Sequence, residues 1–129
     1  MKEKHKLKIK ALPYAFTVCQ TEDFSQVRWD TEFCFTGRTD CEYSLVCRTE
    51  DVPSNTVARE DGWKAFRIKG VLDFSLVGIL SEISLLLAQN QIGIFAISTY
   101  RTDYVLTKKR DFSRALEVLS KAGYQIIME

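Results

Sequence analysis

From Trp63 onward the apolar and polar positions alternate between strand-like and helix-like spacing. In Trp63-Lys64-Ala65-Phe66-Arg67-Ile68-Lys69, Phe66 and Ile68 are interleaved with charges, which predicts a half-buried strand ending at Gly70. Leu76, Ile79, Leu80, Ile83, Leu86 and Leu87 then recur at steps of three and four and predict a helix with one apolar stripe. Asp73 can cap its start, and Asn90 and Gly93 mark its end. Ile92 to Ser98 is a short apolar run rich in isoleucine, the composition of a central strand. After the polar Thr99-Tyr100-Arg101-Thr102, the run Asp103 to Thr107 resumes as a strand, so the two form a hairpin. Asp111 is placed to cap a second helix with the stripe Phe112, Ala115, Leu116, Leu119 and Ala122. Gly123 closes it before a last strand, Tyr124 to Ile127.

Strand, helix, strand, strand, helix, strand is the split βαβ, ferredoxin-like order, with both helix stripes on one face of an antiparallel sheet. The fold class is therefore α+β, with a complete unit over 62–129. The first half holds an echo. Phe33 to Asp40 runs into Tyr43 to Cys47, again strand, polar turn, strand. Arg38-Thr39-Asp40 returns as Arg101-Thr102-Asp103, 63 residues on, and both copies are expected at a hairpin tip. Thr21 to Asp30 carries no helical stripe, and Glu50 to Asn55 offers at most one helical turn. Residues 1–61 thus read as a degenerate, mostly β unit. It opens on Leu7 to Lys10 and Tyr14 to Val18, a strand interrupted by Pro13 whose alternating lysines suit a sheet edge.

Bulk properties narrow the function. A chain of 129 residues, 46% hydrophobic and 27% charged, can fold around a core of its own. A formal charge of +1 sets up no field for a polyanion, and the five lysines within residues 1–10 lack the interleaved aromatics of a nucleic-acid site. No apolar run spans a bilayer and the N-terminus lacks a signal-peptide core, which predicts a cytoplasmic protein without membrane contact. Cys19, Cys34, Cys41 and Cys47 form no C-x-x-C pair and read as reduced, buried thiols, with no metal implied. His5 is the sole histidine, and no nucleophile elbow, P-loop or metalloprotease helix occurs, so no catalytic set is expected.

Gly70-Val71-Leu72-Asp73-Phe74-Ser75-Leu76-Val77-Gly78-Ile79-Leu80, followed by Ile92 to Leu106, resembles the small bacterial ACT proteins related to the cytosolic arginine sensors of animal cells. Arg38-Thr39-Asp40 and Leu45-Val46-Cys47 leading to Val52-Pro53 look like that group too, so the resemblance covers nearly the whole chain. It implies tandem ACT units with a free amino acid held where units meet, often in a homodimer, and neither enzyme activity nor a cofactor. Arg101, in the variable slot of Ser-Thr-Tyr-x-Thr-Asp, departs from the pattern and leaves the ligand preference open.

A free amino acid needs donors for its carboxylate and an acceptor for its ammonium. The loop from Gly70 to Ser75, containing Asp73, opens a helix and offers backbone N–H groups to an anion. Asp103, moved towards the site by the family motif, is the acceptor for the ammonium or a basic side chain. Ser98, Thr99 and Thr102 are hydroxyls beside it, and Ile97 supplies an apolar wall. Each has a plainer role: Asp73 as helix cap, Asp103 as turn residue, the hydroxyls as strand-end donors, Ile97 as core. A protein-interaction module without a retained ligand site is the alternative reading.

Overall fold

A computed structural model describes residues 7–69 and 78–128 of the chain. The chain divides into two compact units, one of Tyr14–Trp63 and one of Met1–Pro13 with Lys64–Glu129. The strands β1 (Lys8–Thr21) and β4 (Thr56–Lys69) each contribute a part to both.

The larger unit carries α1 (Ile79–Gln89), β5 (Ile94–Ser98), β6 (Asp103–Lys108), α2 (Lys109–Lys121) and β7 (Gln125–Met128). Its strands lie in the order β7-β1-β4-β6-β5. This is the α+β, ferredoxin-like plan that the spacing predicts, with one change of neighbour. In a split βαβ unit the last strand lies beside the first, here β4. Instead the start of β1 stands between them and pairs with β7 in parallel, Lys8 opposite Gln125 and Ala11 opposite Met128. Leu7, Ile9 and Ala11 enter the same core as Phe66, Ile83, Ala115 and Leu119. Full burial of a side chain the size of Leu7 or Ile9 contributes about 1.5–3 kcal/mol. The segment assigned by sequence to the first unit, on the near side of a boundary at residues 61 and 62, thus packs with the second.

Two further expectations for β1 change. It is not an edge strand: β4 flanks it on one side, and β7 and β3 (Tyr43–Arg48) pair with it on the other. Nor does Pro13 break it. β7 pairs over Lys8–Ala11 and β3 over Phe16–Thr21, and Pro13 falls between, so neither of these two ladders needs its missing N–H. The strand beginning at Trp63 is longer than expected too, since β4 starts at Thr56. Its first residues are exposed and charged, so no alternation marks them, and Gly62 (φ 85°) supplies a conformation that other residues take at a cost.

Both helices begin away from the aspartates expected to cap them. Within the described residues α1 starts at Ile79 with Gly78 (φ 87°) before it, and Asp73 and Leu76 lie outside those residues. α2 starts at Lys109, which places Asp111 inside the first turn. There Asp111 accepts a bond from Arg114 (3.0 Å), and the same guanidinium donates to the Asn90 carbonyl (2.6 Å), joining the start of α2 to the end of α1. The two helix ends are alike. Ile92 donates to Leu87 and Gln91 to Ala88, as Tyr124 donates to Leu119 and Gly123 to Ser120, which is the Schellman pattern in both. The left-handed position is Gly123 (φ 108°) in α2 but Gln91 (φ 60°) in α1, so Gly93, expected to end that helix, is not the residue that does.

The smaller unit is mostly strand, with β2 (Phe35–Arg38) and β3 joined as a hairpin, the order β2-β3-β1-β4, and a single 3-10 turn at Thr49–Asp51. Cys19, Val27, Leu45 and Cys47 form its buried cluster, with Cys34 half-buried against it. Arg28 reaches the buried Asp51 carboxylate at 3.5 Å. Thr17, fully buried, donates to Asp61 (2.5 Å) and bonds Thr49 (2.9 Å). The Thr17 hydroxyl, helped by Arg59, holds the Asp61 carboxyl below its usual range. One cysteine departs from the buried reading: Cys41 lies exposed in the β2–β3 turn.

Two outcomes follow from these packing details. Gln91→Gly should raise the urea midpoint, stabilising the fold by up to about 1 kcal/mol because it relieves a side chain in the left-handed region, while Gly123→Ala should lower it by a similar amount. A lower midpoint for Gln91→Gly would contradict the cap assignment. Iodoacetamide should label Cys41 first in the native protein, with Cys19 and Cys47 reacting only on unfolding, as followed by mass spectrometry of the peptides.

Candidate ligand site

The site is built where β4 ends and the β5–β6 hairpin turns. The ladder sets Ile97 opposite Tyr104 and Ser98 opposite Asp103, and Thr99 closes the turn by donating its N–H to the Thr102 carbonyl at 2.8 Å. The Thr99 hydroxyl donates to the same oxygen at 3.0 Å. Thr102 turns its own hydroxyl to the Ile68 carbonyl, which holds the hairpin tip against the last residues of β4. β4 ends one residue later at Lys69, and Gly70 to Ser75 follow it in the sequence. Asp73 and Ser75 themselves lie outside the described residues.

Strand alternation assigns the remaining side chains to faces. Val105 and Ile94 pack into the core with the two helices, so Asp103 and Ser98, two and four residues away on the same strands, share the helix side. There Ser98 donates to Asp103 Oδ1 at 2.5 Å. An ionised carboxylate accepts from several donors, so this single bond leaves Asp103 capacity for an ammonium or guanidinium. Ile97 lies on the other face with Tyr104, where Arg67 donates to the Tyr104 hydroxyl at 3.1 Å. Ser98, Thr99, Thr102 and Asp103 are thus brought together, and Ile97 is not. The start of α1 has a glycine at the N-cap and no side chain to serve its first amides. Behind it Tyr124 donates to Glu82 at 3.0 Å, anchoring α1 to the segment after α2.

The hairpins correspond in a way that the repeated tripeptide does not. Arg38 is the last residue of β2, and Thr39 and Asp40 lie in the turn, whereas Arg101 and Thr102 lie in the turn and Asp103 opens β6. The two copies are therefore not at the same structural place. Thr39 instead matches Thr99, since each donates its N–H to the carbonyl three residues on, Glu42 (3.0 Å) or Thr102. β3 and β6, 60 residues apart, share one burial pattern and each runs straight into a helical turn. A stronger sequence signal is Asp23-Phe24-Ser25-x-Val27, which returns as Asp73-Phe74-Ser75-x-Val77 after the second opening strand. In the first copy Asp23 accepts from the Ser25 N–H (2.9 Å) and hydroxyl (2.5 Å), which fixes the turn out of β1 and holds its carboxyl below the usual range.

Among the described residues no cluster of three metal-ligating side chains occurs, and no helix is long and apolar enough to cross a membrane. Burial pushes the Cys47 thiol up to about 12, with Cys19 and Cys34 adding to it, and burial followed by the Glu82 bond raises the Tyr124 phenol. Both groups fold in protonated form with a raised pKa. Their stabilisation is complete below the unfolded values and is lost as pH rises through the folded ones. The melting temperature should therefore fall from about pH 8.5 upward, starting at the unfolded thiol value, and Cys47→Ala should make that fall shallower. An unchanged slope in the variant would show that the thiol does not carry the effect.

Residues 58–121 match the family model of the ACT domain. A search of curated proteins gave no match. Among solved structures, a protein of Agrobacterium tumefaciens is 27% identical, with a TM-score of 0.82 over 96% of this chain and 94% of that one. The aspartate kinase of Clostridium acetobutylicum, described as an allosteric enzyme, matches at 17% identity and a TM-score of 0.64, over 90% of this chain but 34% of the enzyme. The regulatory subunit of aspartate kinase from Thermus thermophilus, in its ligand-free form, matches at 9% identity and a TM-score of 0.62, over 89% of this chain and 96% of that one. The protein thus has the α+β, ferredoxin-like fold of ACT regulatory domains, with the family match lying across β4, both helices and the hairpin that carries Ser98 to Asp103.

Proposed function

We propose that this chain is a regulatory protein that binds a free amino acid on the helix side of the larger unit, at the Ser98–Asp103 end of its sheet. The observation that carries this reading is the Asp103 carboxylate, oriented by Ser98 at the end of the β5–β6 hairpin, while the Gly70 to Ser75 loop that precedes α1 in the sequence lies outside the described residues. In this reading Asp103 takes the ammonium or a basic side chain, and the amides of that loop and of the first turn of α1 take the carboxylate. Thr102 positions the tip through Ile68, and Thr99 keeps the turn closed. The regulatory role of the aspartate kinase relatives supports binding as the task of this fold, with no chemistry assigned to the chain's own side chains. The matched hairpins and the repeated Asp-Phe-Ser-x-Val support a duplicated pair of ACT-like units, the first without long helices.

Thermal melting of the full chain against each of the twenty amino acids tests this reading. A ligand at a hundred times its Kd should stabilise the fold by about 2.7 kcal/mol. Asp103→Asn should abolish the shift while leaving the unliganded melting temperature within a few degrees. If none of the twenty moves the midpoint at millimolar concentration, the chain is not an amino-acid sensor.

A further inference from the structure

Three of the four cysteines converge in the core of the smaller unit, and the strand registers single out one pair. β2 and β3 set Phe35 opposite Val46, Thr36 opposite Leu45, Gly37 opposite Ser44 and Arg38 opposite Tyr43, and at the tip Thr39 donates its N–H to the Glu42 carbonyl. Hydrogen-bonded and non-hydrogen-bonded pairs alternate along an antiparallel ladder. Thr39–Glu42 is hydrogen-bonded, so Gly37–Ser44 and Phe35–Val46 are as well, and one step further Cys34 faces Cys47 at a non-hydrogen-bonded position. There the Cα atoms of a pair lie about 4.5 Å apart and the side chains stand closest. A disulfide spans Cα separations of about 4.4–6.8 Å, so the two thiols are within reach of the bond. Both lie on the core side. Cys47 is buried with Leu45 and Val27, and Cys34 packs half-buried against the same cluster.

The other two thiols do not compete. Cys19 stands opposite Leu45, two residues along β3 from Cys47, and such diagonal neighbours lie about 7–8 Å apart, too far for the bond. Cys41 lies in the turn at the far end of the hairpin. We propose that Cys34 and Cys47 form a reversible disulfide under oxidising conditions, with a small-molecule disulfide as the oxidant, and that the bond staples β2 to β3. The Cys34 thiolate attacks one sulfur of the oxidant, which gives a mixed disulfide and releases one thiolate. Cys47 then loses its proton to solvent, and its sulfur attacks that of Cys34 and expels the second thiolate. Two protein thiols and one small disulfide become one protein disulfide and two small thiols, with two electrons passing to the oxidant. Cys34 is the entry point because Cys47 is only 2% exposed. Burial raises the pKa of both thiols, so exchange is slow near neutrality and quickens as pH rises. The staple acts on a weakly held element: β2 is four residues long, ends the sheet and has β3 as its one described partner. The irregular segment that follows β1 enters β2 through Phe33, whose backbone is left-handed (φ 61°), and the bond fixes that entry covalently.

Incubation of the native full chain in glutathione buffers of graded oxidised-to-reduced ratio, at about pH 8, tests the proposal by acid quenching, alkylation and peptide mass spectrometry. Cys41→Ser is run beside the wild type, because trypsin leaves Cys41 and Cys47 in one peptide, Thr39–Arg48, apart from Cys34 in Trp29–Arg38 and Cys19 in Ala11–Arg28. Fragmentation of the linked wild-type peptides places the bond at Cys41 or Cys47 independently of that variant. Both proteins should give a link between Cys34 and Cys47 that dithiothreitol reverses, with Cys19 still free. Oxidation should slow hydrogen exchange of the Phe35 and Gly37 amides, which bond β3, at least about tenfold and raise the melting temperature by several degrees. Cys34→Ser, at a half-buried position, should abolish the link and the slowing together. The proposal is overturned if the folded chain keeps Cys34 and Cys47 reduced at the most oxidising ratio, if Cys47 bonds Cys19 instead of Cys34, or if the link forms without slowing exchange in β2.

Discussion

The parallel pairing of Lys8–Ala11 with Gln125–Met128 is the contact on which the larger unit depends. It joins segments more than a hundred residues apart and puts Leu7, Ile9 and Ala11 under the same helices as the rest of that core. Without it, β7 has no other ladder partner among the described strands, and the sheet ends at β4. A contact of such sequence separation forms only after a large loop-closure cost has been met, so completion of this unit belongs late in folding. The position of Pro13 fits the same constraint: β1 changes partner along one side, and the residue without an N–H sits in the interval between them.

The candidate site is a product of register as much as of residue type. Ser98 and Ile97 are neighbours in the chain, but the pleat sends one to the helix side beside Asp103 and the other to the opposite face beside Tyr104. Asp103 and Ser98 therefore share the helix side, and the hairpin tip is held in place by a bond from Thr102 to the Ile68 carbonyl near the end of β4. Rigidity is supplied from behind, where Arg114 clamps the two helices and both end in the same hydrogen-bond pattern.

Charge is unevenly spread over the unit. α2 turns a polar, heavily charged face outward, whereas the end of α1 and β5 carry none, although all three flank one core. A single core accounts for the apolar stripe of each helix, Ile83 and Leu87 on one and Ala115 and Leu119 on the other. It does not account for the exposed Leu85 or for an uncharged edge strand.

Local spacing alone determined the element order of the second half, the buried faces of both helices, the hairpin and the near absence of helix in the first unit. Each rests on periods of two or three to four residues, and burial followed them at Phe66, Ile68, Ile83, Leu87, Ala115 and Leu119. The group of Ser98, Thr99, Thr102 and Asp103 was legible as well, because a hairpin brings near neighbours together. Three things were not. The helix starts escaped because a glycine or a lysine, and not an aspartate, stands at each N-cap. The first seven residues of β4 escaped because Val57 to Gly62 are all exposed and no alternation exists to read. The partners of β1, and with them the unit to which the N-terminal strand belongs and the edge position of β5, were decided only in three dimensions, since a strand's side-chain pattern specifies which face is buried but not which strand lies beside it.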